Sequence, residues 1–160
     1  MPVFHKFYHS SAGGLSSGSL RATGPVLNVE VEVPQALAEL LASEGKQLPK
    51  PQTGVALIDT GAALTCVDAA AIAALGVTPL SSTLLQTAGG WTTAYRYPVR
   101  LNFPSEGIDR EFTSVVGVDL TGYDVPLLEP APLLVLIGRD VLEEWVFIYA
   151  GSGGFFCLAI

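Results

Sequence analysis

The chain has 160 residues, enough for one domain with a sizeable core; 49% are hydrophobic and only 14% charged, an apolar balance that implies some surface is covered by a partner. A net charge of −7 leaves no basic footprint for gripping a phosphate backbone, which argues against nucleic acid. Apolar runs such as LLVLI at 133–137 are bounded by proline, glycine or charge and fall far short of the roughly 20 residues needed to cross a bilayer as a helix.

The N-terminus, MPVFHKFYHSS, scatters aromatics and histidines instead of placing an apolar stretch after a basic one, so it does not read as a secretory signal and a cytoplasmic location is expected. Next, LNVEVEV at 27–33 alternates, with Leu27, Val29, Val31 and Val33 on one face: a half-buried antiparallel strand. Pro34 opens a helix, PQALAELLASEG, whose Leu37, Leu40 and Leu41 share a face, and which ends near Gly45. The proline-rich KQLPKPQTG then reads as a linker, completing an insert over 34–54. VALI at 55–58 is a continuous apolar run, suited to a strand covered on both sides.

After DTGA, Asp68 caps a helix over AAAIAALG that stops at Gly76. LLQTAGGWTTAYRYPVRLNF reads as two strands joined at a glycine tip, and further strands are expected at REFTSVVGV, PLLVLI, WVFIY and FFCLAI. Strands dominate and nothing alternates strand with long helix, so the expected fold is a mostly β closed barrel with short helices. Cys66 and Cys157 do not make a disulfide framework and are expected to be reduced.

Several constellations carry no chemistry. GLSSG at 14–18 matches a serine nucleophile elbow around Ser16, yet no strand precedes it and both histidines, His5 and His9, lie upstream; a flexible polar loop is the better reading. His5 and His9 lack a third ligand and read as surface residues, so no metal or other cofactor is expected. Asp119, Asp124 and Glu129 sit among turn residues and are given no role.

The DTG at Asp59, Thr60 and Gly61 is specific. Hydrolysis of a peptide bond by carboxylates needs two that share one proton, one taking a proton from water while the other donates to the carbonyl oxygen. DTG occurs once, so one chain supplies half of the dyad, and a homodimer with Asp59 from each subunit beside a twofold axis becomes a requirement of the chemistry. In that geometry the Thr60 hydroxyl bonds across the dyad, and Gly61 allows a tight turn close to a substrate main chain.

Three features in order resemble the retropepsin-like aspartic proteases: VALIDTGAALT at 55–65, with Thr65 six residues after the aspartate; a glycine-tipped hairpin at Ala88, Gly89, Gly90 and Trp91, where that family has its flap; and LIGRDVL at 136–142. The resemblance covers roughly residues 25–160 and leaves 1–24 as a segment of unknown role, an arm, a tail or an occupant of the cleft. It implies a closed β fold, a flap over the cleft and an obligate dimer that hydrolyses peptide or protein substrates. By this resemblance Asp59, Thr60 and Gly61 are catalytic, Ala62, Ala63, Gly89, Gly90 and Trp91 bind substrate, and Thr65, Gly138, Arg139 and Asp140 support the loops. Ala63 stands where retroviral members carry an acidic residue that holds the arginine, so Arg139 needs another partner, a backbone carbonyl or Asp68. The alternative reading is a catalytically silent dimerisation or peptide-binding domain that keeps the fold.

Overall fold

The computed structural model describes residues 2–10, 12–87, 89–125 and 131–160. Strands dominate, as expected. In chain order they are β1 (Val3–Phe7), β2 (Val26–Glu32), β3 (Gln52–Ile58), β4 (Cys66–Asp68), β5 (Ser81–Thr87), β6 (Gly90–Phe103), β7 (Ile108–Val118), β8 (Asp124–Val125), β9 (Ala131–Ile137), β10 (Val146–Ala150) and β11 (Phe155–Ala159). Among the described residues the α-helices are short: α1 (Ser17–Thr23), α2 (Gln35–Ser43), α3 (Ala69–Ala74) and α4 (Arg139–Leu142).

The larger sheet runs β2-β3-β9-β4-β7-β6 and closes on itself, because β6 also pairs with β2 through Glu30 opposite Asn102 and Val31 opposite Leu101. Closure leaves these six strands without a free edge. The alternation read in β2 produces the inward face: Val29 and Val31 are buried with Val99, Leu101, Val115 and Val135. The unbroken run at 55–58 is covered on both sides, as its composition implies. Ala56 and Ile58 point into this core, whereas Val55 packs with Val26, Leu120 and Leu133 in a separate cluster.

Two elements project from the barrel. Strand β5 pairs with β6 from Ser81 opposite Arg96 to Thr87 opposite Gly90, forming a hairpin outside the ring. A second sheet, β1-β11-β10, is built from the two ends of the described chain.

The N-terminal segment departs from the sequence reading. GLSSG is not a flexible loop: Ser16 caps α1, its Oγ accepting from the Ser19 N–H at 3.1 Å, and Leu20 of that helix is fully buried. Strand β1 pairs with β11, and the Tyr8 hydroxyl donates to the Gly24 carbonyl at 2.8 Å. Residues 3–7 and 17–23 are therefore stitched into the domain. Gly18 and the serines around it concealed this helix, since a glycine inside a helix lowers its propensity. In α2, Leu37 packs on the core but Leu40 stays 53% exposed, so the leucine face is only partly used. Strand β10 begins at Val146, and Trp145 is buried ahead of it, edge-on to Phe103.

Candidate active site

Strand β3 delivers Asp59 to a turn. The Asp59 N–H donates to the Ile137 carbonyl of β9 at 2.9 Å, and its own carbonyl accepts from Ala62 N–H at 3.2 Å, so the backbone on both sides is fixed. The half-buried Asp59 carboxylate accepts the Gly61 N–H on Oδ1 at 2.9 Å. Gly61 does not adopt a positive φ; a Cβ there would meet Asp59 Oδ1 at 3.1 Å, so its use is to let the carboxylate and the backbone approach each other. This corrects the expectation of a turn that depends on glycine's conformational freedom.

The IGRD segment, about 75 residues downstream, packs against this turn along its whole length. The Arg139 and Asp140 N–H groups donate to the Ala62 and Ala63 carbonyls at 3.0 and 3.3 Å. Arg139 reaches back with Nη1 to the carbonyls of Thr60 at 2.8 Å and Gly61 at 3.1 Å, so its partner is the backbone and not Asp68. Asp68 is engaged elsewhere, accepting from Ala71 N–H as the cap of α3 and from Leu120 N–H. Thr65 is the knot: its hydroxyl donates to Asp140 Oδ1 at 2.8 Å and accepts from Gly138 N–H at 3.0 Å. Gly138 must be small, because a Cβ would lie 2.5 Å from the Leu64 carbonyl carbon.

In front of Asp59 lies a cavity of about 920 Å³. Its floor is the turn, with Gly61, Ala62 and Ala63; its roof is the β5–β6 hairpin, with Leu84, Leu85 and Trp91. Trp91 sits opposite Gln86 and is 68% exposed, so it does not serve as core. Thr60, Gly89 and Gly90 are not among the lining residues, although Gly89 N–H is anchored on the Thr87 hydroxyl at 3.2 Å. Ala88, expected at the tip, lies outside the described residues, as does Glu129.

Cys66, Asp119 and Tyr123 are among the lining residues that the motifs do not assign. Cys66 faces the cavity; burial pushes its thiol up to about 11, and the charges of Asp140 and Asp59 add to the effect, so it remains a protonated, unreactive thiol. Asp119 and Tyr123 line the same cavity. Asp119 carries no motif, and only the return of β7 beside β4 brings it to the cleft. Its carboxyl is held below the usual range by the hydroxyl and N–H of Thr121. His5 and His9 are exposed, with His5 Nδ1 2.9 Å from Cys157 Sγ, and among the described residues no group of three or more His, Cys, Asp or Glu could hold a metal ion. No helix among them is long and apolar enough to cross a membrane.

No family model and no curated protein matches the chain. Among solved structures, the chain is similar to a retropepsin-like aspartic protease from Rickettsia conorii, with 13% identity, 99% of this chain and 95% of that one covered, and a TM-score of 0.42.

Proposed function

We propose that the protein is a homodimeric aspartic endopeptidase of the retropepsin-like kind. The observation that carries the reading is the Asp59 turn, clamped by Arg139 and Thr65, set in the floor of a cavity roofed by a hairpin. Each chain gives one Asp59, and the second copy gives the other. The shared proton makes one carboxylate a base and the other an acid: the first removes a proton from water, whose oxygen bonds to the scissile carbonyl carbon, and the second protonates the carbonyl oxygen. Collapse of that adduct breaks the carbon–nitrogen bond as the amine takes a proton, and no covalent enzyme intermediate, metal or cofactor enters. Coupled carboxylates titrate as a pair, so activity is bell-shaped in pH.

The outer face of the β1-β11-β10 sheet is the surface offered to the second copy. Val3, Phe7, Val146 and Ile148, 50–54% exposed, share it with the exposed His5, so the patch on this side of the sheet is apolar around one imidazole. The opposite face, with Phe156 and Leu158, is already buried against the domain. Substrate lies extended between floor and roof, its main chain along Gly61 to Ala63 and the hairpin, its apolar side chains against the leucines.

The test is incubation of purified protein with a mixed peptide library across pH, with and without pepstatin, read by mass spectrometry. Pepstatin-sensitive cleavage that disappears in Asp59→Asn is expected. Cleavage that survives Asp59→Asn overturns the proposal, and peptide binding without cleavage at any pH favours the silent peptide-binding domain.

A further inference from the structure

The cleft carries a combination of groups that an apolar peptide alone would not need. Asp119 and Tyr123 line the same cavity as Asp59 and Trp91. Among the described residues the lining includes two carboxylates and no lysine, arginine or histidine. Trp91 and Tyr123 are 68% and 65% exposed. Asp119 is held in one orientation, its Oδ1 accepting Thr121 N–H at 2.9 Å. A fixed carboxylate and two open aromatic rings on one cavity are the chemistry that recognises a cation: an ion pair on one side and ring faces on the other.

We propose that Asp119, with Tyr123 and Trp91, forms a subsite selecting an arginine or lysine side chain of the peptide substrate. The leucines along the rest of the cavity take apolar neighbours, so the substrate class is an apolar segment carrying one basic residue. The Thr121 hydroxyl and N–H hold the Asp119 carboxyl below its usual range, which favours the charged form that a cation needs. This assignment rests on the protease reading and adds to it the identity of the peptide.

The experiment separates the two. Binding is measured by calorimetry to the Asp59→Asn protein, in which cleavage is absent, using capped nonapeptides of leucine, phenylalanine and alanine with one arginine moved through every position, each paired with its glutamine and glutamate counterparts. At the best position arginine binds about fivefold more tightly than glutamine at low salt, and glutamate binds less tightly than either. Asp119→Asn, an exposed change that retains an oxygen for Thr121, reduces the arginine advantage to within about twofold, as does roughly 0.5 M salt. Equal binding of arginine and glutamine peptides, or an advantage that survives Asp119→Asn, overturns the subsite. If the unsubstituted protein cuts the series without preference for arginine, the subsite falls and the protease stands; if nothing binds and nothing is cut, both fall.

Discussion

Thr65 and Asp140, 75 residues apart, are joined by two hydrogen bonds: the Asp140 carboxylate accepts the Thr65 N–H at 2.9 Å and its hydroxyl at 2.8 Å. The same hydroxyl accepts the buried Gly138 N–H. The knot fastens the end of the Asp59 turn to the start of α4, so it holds the floor of the cleft from beneath.

Thr65→Val keeps the shape and removes the hydroxyl. It leaves Gly138 N–H buried without an acceptor and takes one donor from Asp140. The expected cost is about 3 kcal/mol in urea unfolding, with a melting temperature lowered by roughly 6–12 °C. A loss under about 1 kcal/mol would show that water replaces the hydroxyl and that the knot is dispensable.

Trp91→Ala behaves in the opposite way. A side chain 68% exposed contributes little to the fold, so stability changes by no more than about 0.5 kcal/mol. If the hairpin closes on peptide, KM rises at least about fivefold through lost apolar contact. Fluorescence quenching by a peptide-like inhibitor, read in a Trp145→Phe background, reports the contact directly. A large stability loss with unaltered kinetics on the folded fraction would place Trp91 in the core instead.

Charged substitutions on the two faces of the terminal sheet have different outcomes. Phe155 and Ile148 belong to the outer face, and Leu158 is fully buried on the inner one. Phe155→Glu and Ile148→Glu are expected to yield folded monomers by sedimentation and circular dichroism, with specific activity that falls on dilution. Leu158→Glu is expected to unfold the chain, because a carboxylate in that core has no partner. A folded Ile148→Glu dimer would move the interface elsewhere.

Glu106 links stability to pH. Its Oε2 is buried without a hydrogen-bond partner, and burial raises its pKa above 4.5 despite the opposing charge of Lys6. The folded state therefore holds the proton more tightly than the unfolded chain. This group's contribution is complete below pH 4.5 and is lost as pH rises through the folded pKa. Glu32 shifts in the same direction, again mainly by burial. Glu106→Gln should leave stability near pH 4 little changed, raise it at pH 7 and flatten the slope between. Thermal melts across that range check it, and a variant less stable at pH 7 would mean that attraction to Lys6 outweighs burial.

Local chemistry made much of the molecule legible in the sequence. Alternation in 27–33 set the inward face of β2, Asp68 announced the cap of α3, and the apolar run ending in Asp59 marked a strand covered on both sides that opens into a turn. These are properties of a residue and its near neighbours, so periodicity and propensity report them. The helix at 17–23 escaped because its stability comes from Leu20 buried in the core and not from its glycine- and serine-rich sequence. What only the tertiary structure decided is which distant groups share a place. Arg139 could have turned to an acidic side chain, but the packing of α4 beneath the turn left the Thr60 and Gly61 carbonyls within reach. Asp119 looks in sequence like any solvated loop carboxylate, and becomes a wall of the cleft because β4 lies parallel to β7 and β9 lies beside β4. Strand pairing over such separations depends on the closure of the whole barrel, and no local pattern encodes it.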